Sequence, residues 1–245
     1  MTVEIRRVFV RWVATSALAI CAVTAPLASD PPDSQVNPQS GSIETVDSYW
    51  TGSHYRVRHV INPGDGQLIQ VSYLTTGSID DNAPRVAISA AGDTWAVWWR
   101  DDATDEVLIR KRTYSSGTWG AERLVSNSSE NSQSPQILHD GTKPWVAYHA
   151  TVQGGTKIAV AAGTDSPDPW DPLGLRTTTY AGDVDVLIHF ESSHLWVTWV
   201  DSASNVGWCE YDYATSAWSS PSNESYASDN VTAARGRIRA GVLGN

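Results

Sequence analysis

The sequence predicts an all-β fold: a small β-propeller of about four blades, each of four antiparallel strands. Three observations predict it. First, tryptophan-led motifs recur at one interval: Trp-Ala-Val-Trp from Trp95, Trp-Val-Ala-Tyr from Trp145 and Trp-Val-Thr-Trp from Trp196, spaced 50 and 51 residues apart. A second series, Trp119, Trp170 and Trp218, is spaced 51 and 48, and Tyr114 and Tyr213 stand 99 apart. Repetition at a fixed interval of this size signals stacked units, each too small to bury its own apolar face. Second, each interval holds short runs rich in β-branched and aromatic residues, divided by Gly, Asp, Asn and Ser clusters, with room for four strands. Third, no 3.6-residue apolar period accompanies the repeat, as a helical solenoid would require.

Taken in order, residues 1–28 read as a secretory signal peptide. Arg6, Arg7 and Arg11 precede an uncharged apolar run over 12–23, and small residues follow up to Ala28. The run is too short to span a membrane well. Residues 29–44, rich in Pro, Ser and Asp, read as a flexible linker, and the propeller occupies 45–245. The first unit, near 84–134, has strands expected at 85–89, 94–100, 107–114 and about 121–125. The second is expected near 135–183 and the third near 184–234. The fourth is composite: residues 235–245 resemble the start of a unit, and 45–83 supply the rest, with 56–59 as third strand and 67–74 as fourth. Joining the ends this way closes the ring and removes exposed sheet edges. The alternative is a piece of a larger propeller.

Charge narrows the partners. Removal of residues 1–28 takes three arginines and one glutamate and moves the net charge from −10 to −12. Such a chain is a poor ligand for nucleic acid or an anionic membrane. Only Cys209 then remains, so no disulfide can form within the chain, and this cysteine reads as a small buried apolar residue. The expected location is outside the cytoplasm, extracellular or periplasmic.

Two segments carry a family resemblance. One runs Ser134-Pro135-Gln136-Ile137-Leu138-His139-Asp140-Gly141-Thr142-Lys143-Pro144-Trp145-Val146-Ala147-Tyr148, the other Tyr211-Asp212-Tyr213-Ala214-Thr215-Ser216-Ala217-Trp218-Ser219. They resemble the sialidase-like, BNR-type propellers, loosely over residues 45–245. The Asp-box pattern Ser-x-Asp-x-Gly-x-Thr-Trp is kept only in part, as in Tyr114-Ser115-Ser116-Gly117-Thr118-Trp119. Tyr55-Arg56-Val57-Arg58 looks like the arginine motif with which sialidases grip a substrate carboxylate. Here Arg58 stands where that motif has Pro, and the repeat phase puts Arg56 on a third strand, away from the channel. The resemblance therefore implies fold, not activity.

Candidate site residues follow from the phasing. Ser89, His139, His189 and Arg239 stand 50 residues apart, near the ends of first strands, where His139, His189 and Arg239 could approach the channel as a metal or anion site. Trp95, Trp145 and Trp196 are expected to pack between blades. Trp99 is the expected exposed exception, beside Arg100 and Asp101 at a strand end, where an aromatic face and charged groups suit a ligand. Asp80, Asp81, Asp101, Asp102, Asp105, Glu106, Glu130, Asp183 and Asp201 fall in connections that share one face of the disc, making it acidic. Asp165, Asp168 and Asp171, at spacing three in a Pro-rich loop, form the candidate Ca²⁺ site. No cofactor motif is present. The functional expectation is a secreted, non-catalytic binding or scaffold module for a glycan or a cell-surface protein. The alternative is a carbohydrate-active enzyme, a sialidase-like glycoside hydrolase using acidic residues at the channel mouth. Oligomeric state, monomer or homo-oligomer, is left open by the sequence.

Overall fold

The computed structural model describes residues 32–64, 66–152, 155–163, 171–172, 185–191, 194–200, 205–220 and 222–225. All regular structure among them is β-strand, in four antiparallel sheets. No helix among them is long and apolar enough to cross a membrane. The first sheet orders β1 (Asp33–Val36), β2 (Ile43–Trp50), β3 (Tyr55–Asn62) and β4 (Gln70–Tyr73) side by side. The second comprises β5 (Asp80–Ile88), β6 (Thr94–Asp101), β7 (Glu106–Thr113) and β8 (Thr118–Trp119), with β9 (Arg123–Leu124) also on β7. The third comprises β10 (Asn131–His139), β11 (Pro144–Val152), β12 (Gly155–Ala162) and β13 (Asp171–Pro172). The fourth comprises β14 (Asp185–Glu191), β15 (His194–Val200), β16 (Asn205–Asp212) and β17 (Ala217–Trp218), with β18 (Ser222–Ser225) also on β16.

The period-2 alternation of each strand sorts its side chains onto two faces, and both faces of the middle sheets are apolar. Each sheet thus has a leading face toward the sheet before it and a trailing face toward the sheet after it. Val46, Val57 and Leu74 of the first sheet meet Val86, Ala96, Trp98 and Leu108 of the second. Trp95, Val97 and Ile109 on the trailing face of the second meet Ile137, Val146 and Tyr148 of the third. Trp145, Ala147 and Val160 of the third meet Leu195, Val197, Trp199 and Cys209 of the fourth. The core is therefore three layers between consecutive sheets, and the sheets succeed one another in chain order.

Two expectations about the ends are corrected. Residues 33–36, expected in a flexible linker, are strand β1, paired with β2 from Asp33↔Val46 to Val36↔Ile43. Their polar composition is what orders them. Asp33 Oδ2 accepts the Val86 N–H at 2.9 Å, Gln35 Nε2 donates to Val86 O at 2.8 Å, and Gln35 Oε1 accepts the Ile88 N–H at 3.1 Å. These side chains bridge β1 to the backbone of β5, which has no other sheet partner on that side. β1 also occupies the edge of β2 on which residues 235–245 were expected, while β3 fills the other. Among the described residues, the first sheet is thus built from one continuous stretch of chain. Residues 235–245, like residues 1–28, lie outside the described residues.

The first strands also start earlier than expected. β5 runs from Asp80 because a bulge between Asn82 and Arg85 absorbs Ala83-Pro84, and β10 runs from Asn131 because a matching bulge absorbs Ser134-Pro135. Ala83 and Ser134 adopt φ of 47° and 52°, so each bulge is left-handed at the residue preceding proline. Proline offers no N–H to the ladder, which is why pairing breaks there.

A polar network closes one end of the layer between the first two sheets. Buried Glu44 accepts hydrogen bonds from Asn37 Nδ2 at 2.6 Å and Thr94 Oγ1 at 2.7 Å, and pairs with His59 Nε2 at 2.9 Å; Arg112 lies 3.9 Å away. Burial works against the Glu44 charge, but His59, Thr94 and Asn37 together hold its carboxyl below the usual range. The adjoining turn needs a glycine. Gly92 has φ of 85°, and a Cβ there would sit 2.9 Å from both Gln39 and Tyr114.

Gly207 is required for a different reason. It pairs with Trp199 across β15 and β16, and a Cβ added to it would fall 2.3–2.5 Å from the indole. Trp199 is itself buried in the layer between the third and fourth sheets and has no room to retreat. Gly207→Ala is expected to destabilise the fold by about 1–3 kcal/mol through overpacking, read as a lower denaturant midpoint with an unchanged m-value.

Candidate functional site

The structure separates the residues proposed from sequence. Trp99 is half-buried against the core layer between the second and third sheets, not exposed. Arg100 is held by two partners: Nε donates to buried Asp81 at 2.9 Å, and NH1 and NH2 grip Glu122 at 2.8 and 2.9 Å. Its charge is therefore already matched within the second sheet. Asp81, expected on an acidic face, is buried, and its burial raises the carboxyl pKa against the pull of Arg100. Asp101 is exposed, and its pKa is raised by partial burial and by the charges of Asp105, Asp80 and Asp102. Asp105 is tied to the third sheet through a short hydrogen bond from Gln133 Nε2.

The two histidines lie on different sheets, each against its own tryptophan. The His139 ring is 4.8 Å from Trp95, and its Nδ1 accepts the Gly141 N–H at 3.1 Å. The His189 ring stacks on Trp196 at 6.4 Å and 11°. Among the described residues, no three His, Cys, Asp or Glu side chains are placed to hold a metal ion. Arg239, Asp165 and Asp168 lie outside the described residues, and of Asp171 only the strand pairing with Ala162 is described.

A different set of residues converges, on the trailing face of the fourth sheet. Strand register makes the comparison exact in position. Val97 pairs with Ile109 in the second sheet and Ala147 with Val160 in the third, both apolar and both in the core. The equivalent pair in the fourth sheet is Thr198 with Trp208. One step along, Trp95 pairs with Lys111 and Trp145 with Ala162, where the fourth sheet pairs Trp196 with Glu210. Trp95 and Trp145 are buried by the sheet that follows, whereas Trp196 and Trp208 are half-buried. This face thus keeps the leading tryptophan of a blade interface but sets a hydroxyl where Val97 and Ala147 stand and a carboxylate where Lys111 and Ala162 stand.

The same face runs into a cleft of about 310 Å³ lined by His194, Glu210, Asp212, Thr215, Trp218 and Ser219. Glu210 and Asp212 share a face because they stand two apart on β16, and His194 is cross-strand from Asp212. His194 Nδ1 lies against Glu210 Oε1. The Asp212 carboxylate accepts the Ala214 N–H at 2.8 Å and the Thr215 hydroxyl at 3.0 Å, and these bonds hold its pKa below the usual range. Ser219 Oγ accepts the Glu210 N–H at 3.0 Å. Trp218 closes the far side, 5.2 Å from Tyr211, with its Nε1 buried and without an acceptor. Sequence phasing had identified Trp196 and Trp218 as repeat markers but not Glu210 and Asp212. Their signal was available only by comparing third strands in register, where Ile109 and Lys111 correspond to Trp208 and Glu210.

No family model matches the sequence, and no curated protein does. Solved structures do match. The NanB sialidase of Streptococcus pneumoniae (K499G mutant) aligns with a TM-score of 0.59 at 6% identity, covering 82% of this chain and 52% of that one. The intramolecular trans-sialidase of Ruminococcus gnavus gives 0.60 at 7%, covering 81% and 71%. Trypanosoma rangeli sialidase gives 0.53 at 8%, covering 77% and 37%. The chain therefore spans about a third to a half of the two sialidases and more of the trans-sialidase. At such identity the likeness is one of fold: the described sheets are arranged as in a sialidase-type β-propeller.

Proposed function

We propose that this chain is a non-catalytic, glycan-binding propeller module that acts outside the cytoplasm. The observation that carries the reading is the trailing face of the fourth sheet, where half-exposed Trp196 and Trp208 adjoin a cleft bearing Glu210, Asp212, Thr215 and Ser219. Sugar rings offer apolar C–H faces that stack on indoles, and hydroxyls that pair with carboxylates and side-chain hydroxyls. The names of the similar structures, sialidases and a trans-sialidase, support a carbohydrate ligand by analogy of fold. The basic, apolar and small-residue pattern of residues 1–28 supports export.

Catalysis is the weaker reading because glycoside hydrolysis needs a carboxylic acid kept protonated by its surroundings. Asp212, held ionised by its bonds from Ala214 and Thr215, suits only the other, ionised member of the pair of carboxyls that hydrolysis uses. The test is titration of the chain against a panel of soluble polysaccharides and immobilised glycans. Trp196→Ala and Asp212→Ala are each expected to weaken binding about tenfold or more while leaving the melting transition in place. Absence of binding to every glycan overturns the reading. So does hydrolysis of a bound glycan that Glu210→Gln or Asp212→Asn abolishes, which would establish the enzyme instead.

A further inference from the structure

The outward, leading face of the first sheet is apolar and open. Alternation and register place Val36, Ile43, Val71 and Tyr73 on it, exposed by 63, 46, 47 and 60%. Tyr49 and Tyr73 meet at 5.3 Å, and Arg58 lies over the Tyr49 ring while gripping Asp47 at 2.7 and 2.8 Å. Arg56, cross-strand from Tyr49, carries a buried Nε without an acceptor. The face therefore combines exposed aliphatic and aromatic surface with two arginines and one aspartate, in a chain whose net charge is −10.

Within the chain, the leading faces of the second, third and fourth sheets are each met by the trailing face of the sheet before. The first of these contacts also matches charge, since Arg112 on the leading face of the second sheet approaches Glu44 of the first. At the other end of the described sheets, the trailing face of the fourth carries Trp196, Trp208, Glu210 and Asp212. The two end faces are complementary in the same sense: aromatic against aromatic, arginine against carboxylate.

We propose that the leading face of the first sheet docks on the trailing face of the fourth sheet of a second copy, so that copies associate head to tail. The contact extends between molecules the sheet-on-sheet packing already used within one. Arg56 then reaches toward Glu210 and Asp212 of its neighbour, and Tyr73 stacks toward Trp196 and Trp208. Two such contacts related by a twofold axis close a dimer, because each copy offers one face of each kind. Docking and glycan binding claim the same residues of the fourth sheet, Trp196, Trp208, Glu210 and Asp212, so a glycan is expected to compete with the dimer; mass without glycan tests docking, and glycan titration of the Tyr73→Asp variant, whose fourth sheet is unchanged, tests glycan binding.

The experiment is light scattering or sedimentation of the full chain over a range of concentrations. The expected mass of the full chain is twice 26.6 kDa, falling on dilution. Tyr73→Asp sets a carboxylate against the acidic face from a position 60% exposed, where it cannot disturb the core. Glu210→Arg sets a cation against Arg56. Each is expected to weaken self-association about tenfold or more. Near-UV circular dichroism matching the parent shows that both variants are folded. An equimolar mixture of the two variants is expected to recover the dimer mass, because one retains the first-sheet face and the other the fourth-sheet face. A monomer at every concentration overturns the proposal. So does a dimer that Glu210→Arg leaves intact, which would be two first sheets paired with each other, and so does a mixture that stays monomeric.

Discussion

Trp145→Ala is expected to destabilise the fold by about 3–5 kcal/mol, the largest effect of any substitution considered, read as the loss of denaturation free energy in guanidinium. Trp145 is completely buried where the third sheet meets the fourth. Its ring contacts Tyr211 at 5.0 Å, Tyr213 at 6.0 Å and Trp218 at 6.4 Å, the latter two edge to face. Such pairs contribute about 0.5–1.5 kcal/mol beyond the area they bury. Lys143 lies over the other side, 4.5 Å from the ring centroid. Truncation removes a whole indole from a layer whose backbone is fixed on both sides by strand pairing, so the cavity cannot collapse. Trp145→Phe is expected to recover roughly half of the loss, because it restores ring packing but not the indole N–H.

That N–H leads to the second prediction. Asp140 joins the third sheet to the fourth by a hydrogen bond. Its Oδ1 accepts the N–H groups of Thr142 at 2.7 Å and Lys143 at 2.8 Å; its Oδ2 accepts Trp145 Nε1 at 2.6 Å and the Tyr213 hydroxyl at 2.5 Å. Both oxygens receive two donors, an arrangement that only a carboxylate satisfies. In Asp140→Asn, one acceptor becomes an NH₂: turned toward Thr142 and Lys143 it loses two bonds, and turned toward Trp145 and Tyr213 it strands the indole N–H while the hydroxyl can rotate to accept. The expected cost is about 2–3 kcal/mol, seen as a lower melting temperature. Burial opposes the Asp140 charge, but Tyr213, Lys143, Trp145 and Thr142 together lower its pKa. A carboxyl with a depressed folded pKa contributes stability that is present above its unfolded value, near 3.9, and is lost as pH falls through the folded value. The parent should therefore lose stability in acid more steeply than Asp140→Asn.

These two residues show why so much of the fold was legible. Asp140 and Trp145 stand in the segment that carried the family resemblance, and Trp145 anchored the repeat. Large aromatic side chains at one phase of an alternating strand leave a periodic trace, because each sheet must cover the next in the same way. The second, third and fourth sheets follow that trace. The β1 strand does not, because Asp33, Gln35 and Asn37 are ordered by bonds to Val86, Ile88 and Gly92, more than fifty residues away. Locally they are only polar residues among prolines. The partners of Arg100 are hidden for the same reason: Asp81 and Glu122, which neutralise it, are 19 and 22 residues distant. The converging carboxylates of β16 were hidden differently. Trp-Cys-Glu-Tyr-Asp reads as an ordinary alternating strand until its register shows that Trp208 stands where Ile109 and Val160 do, and Glu210 where Lys111 and Ala162 do.

Cys209, on that same strand, lies on the opposite face, wholly enclosed by the layer beneath the fourth sheet. Burial alone pushes its thiol up to about 11. At neutral pH almost none of it is thiolate, the species that attacks disulfides and alkylating reagents. Cys209 in the folded chain is accordingly indifferent to the redox state of its surroundings: its sulfur is not offered for cross-linking. Maleimide labelling should then time the opening of the fourth sheet, since the thiol becomes reactive only when that sheet leaves its neighbour.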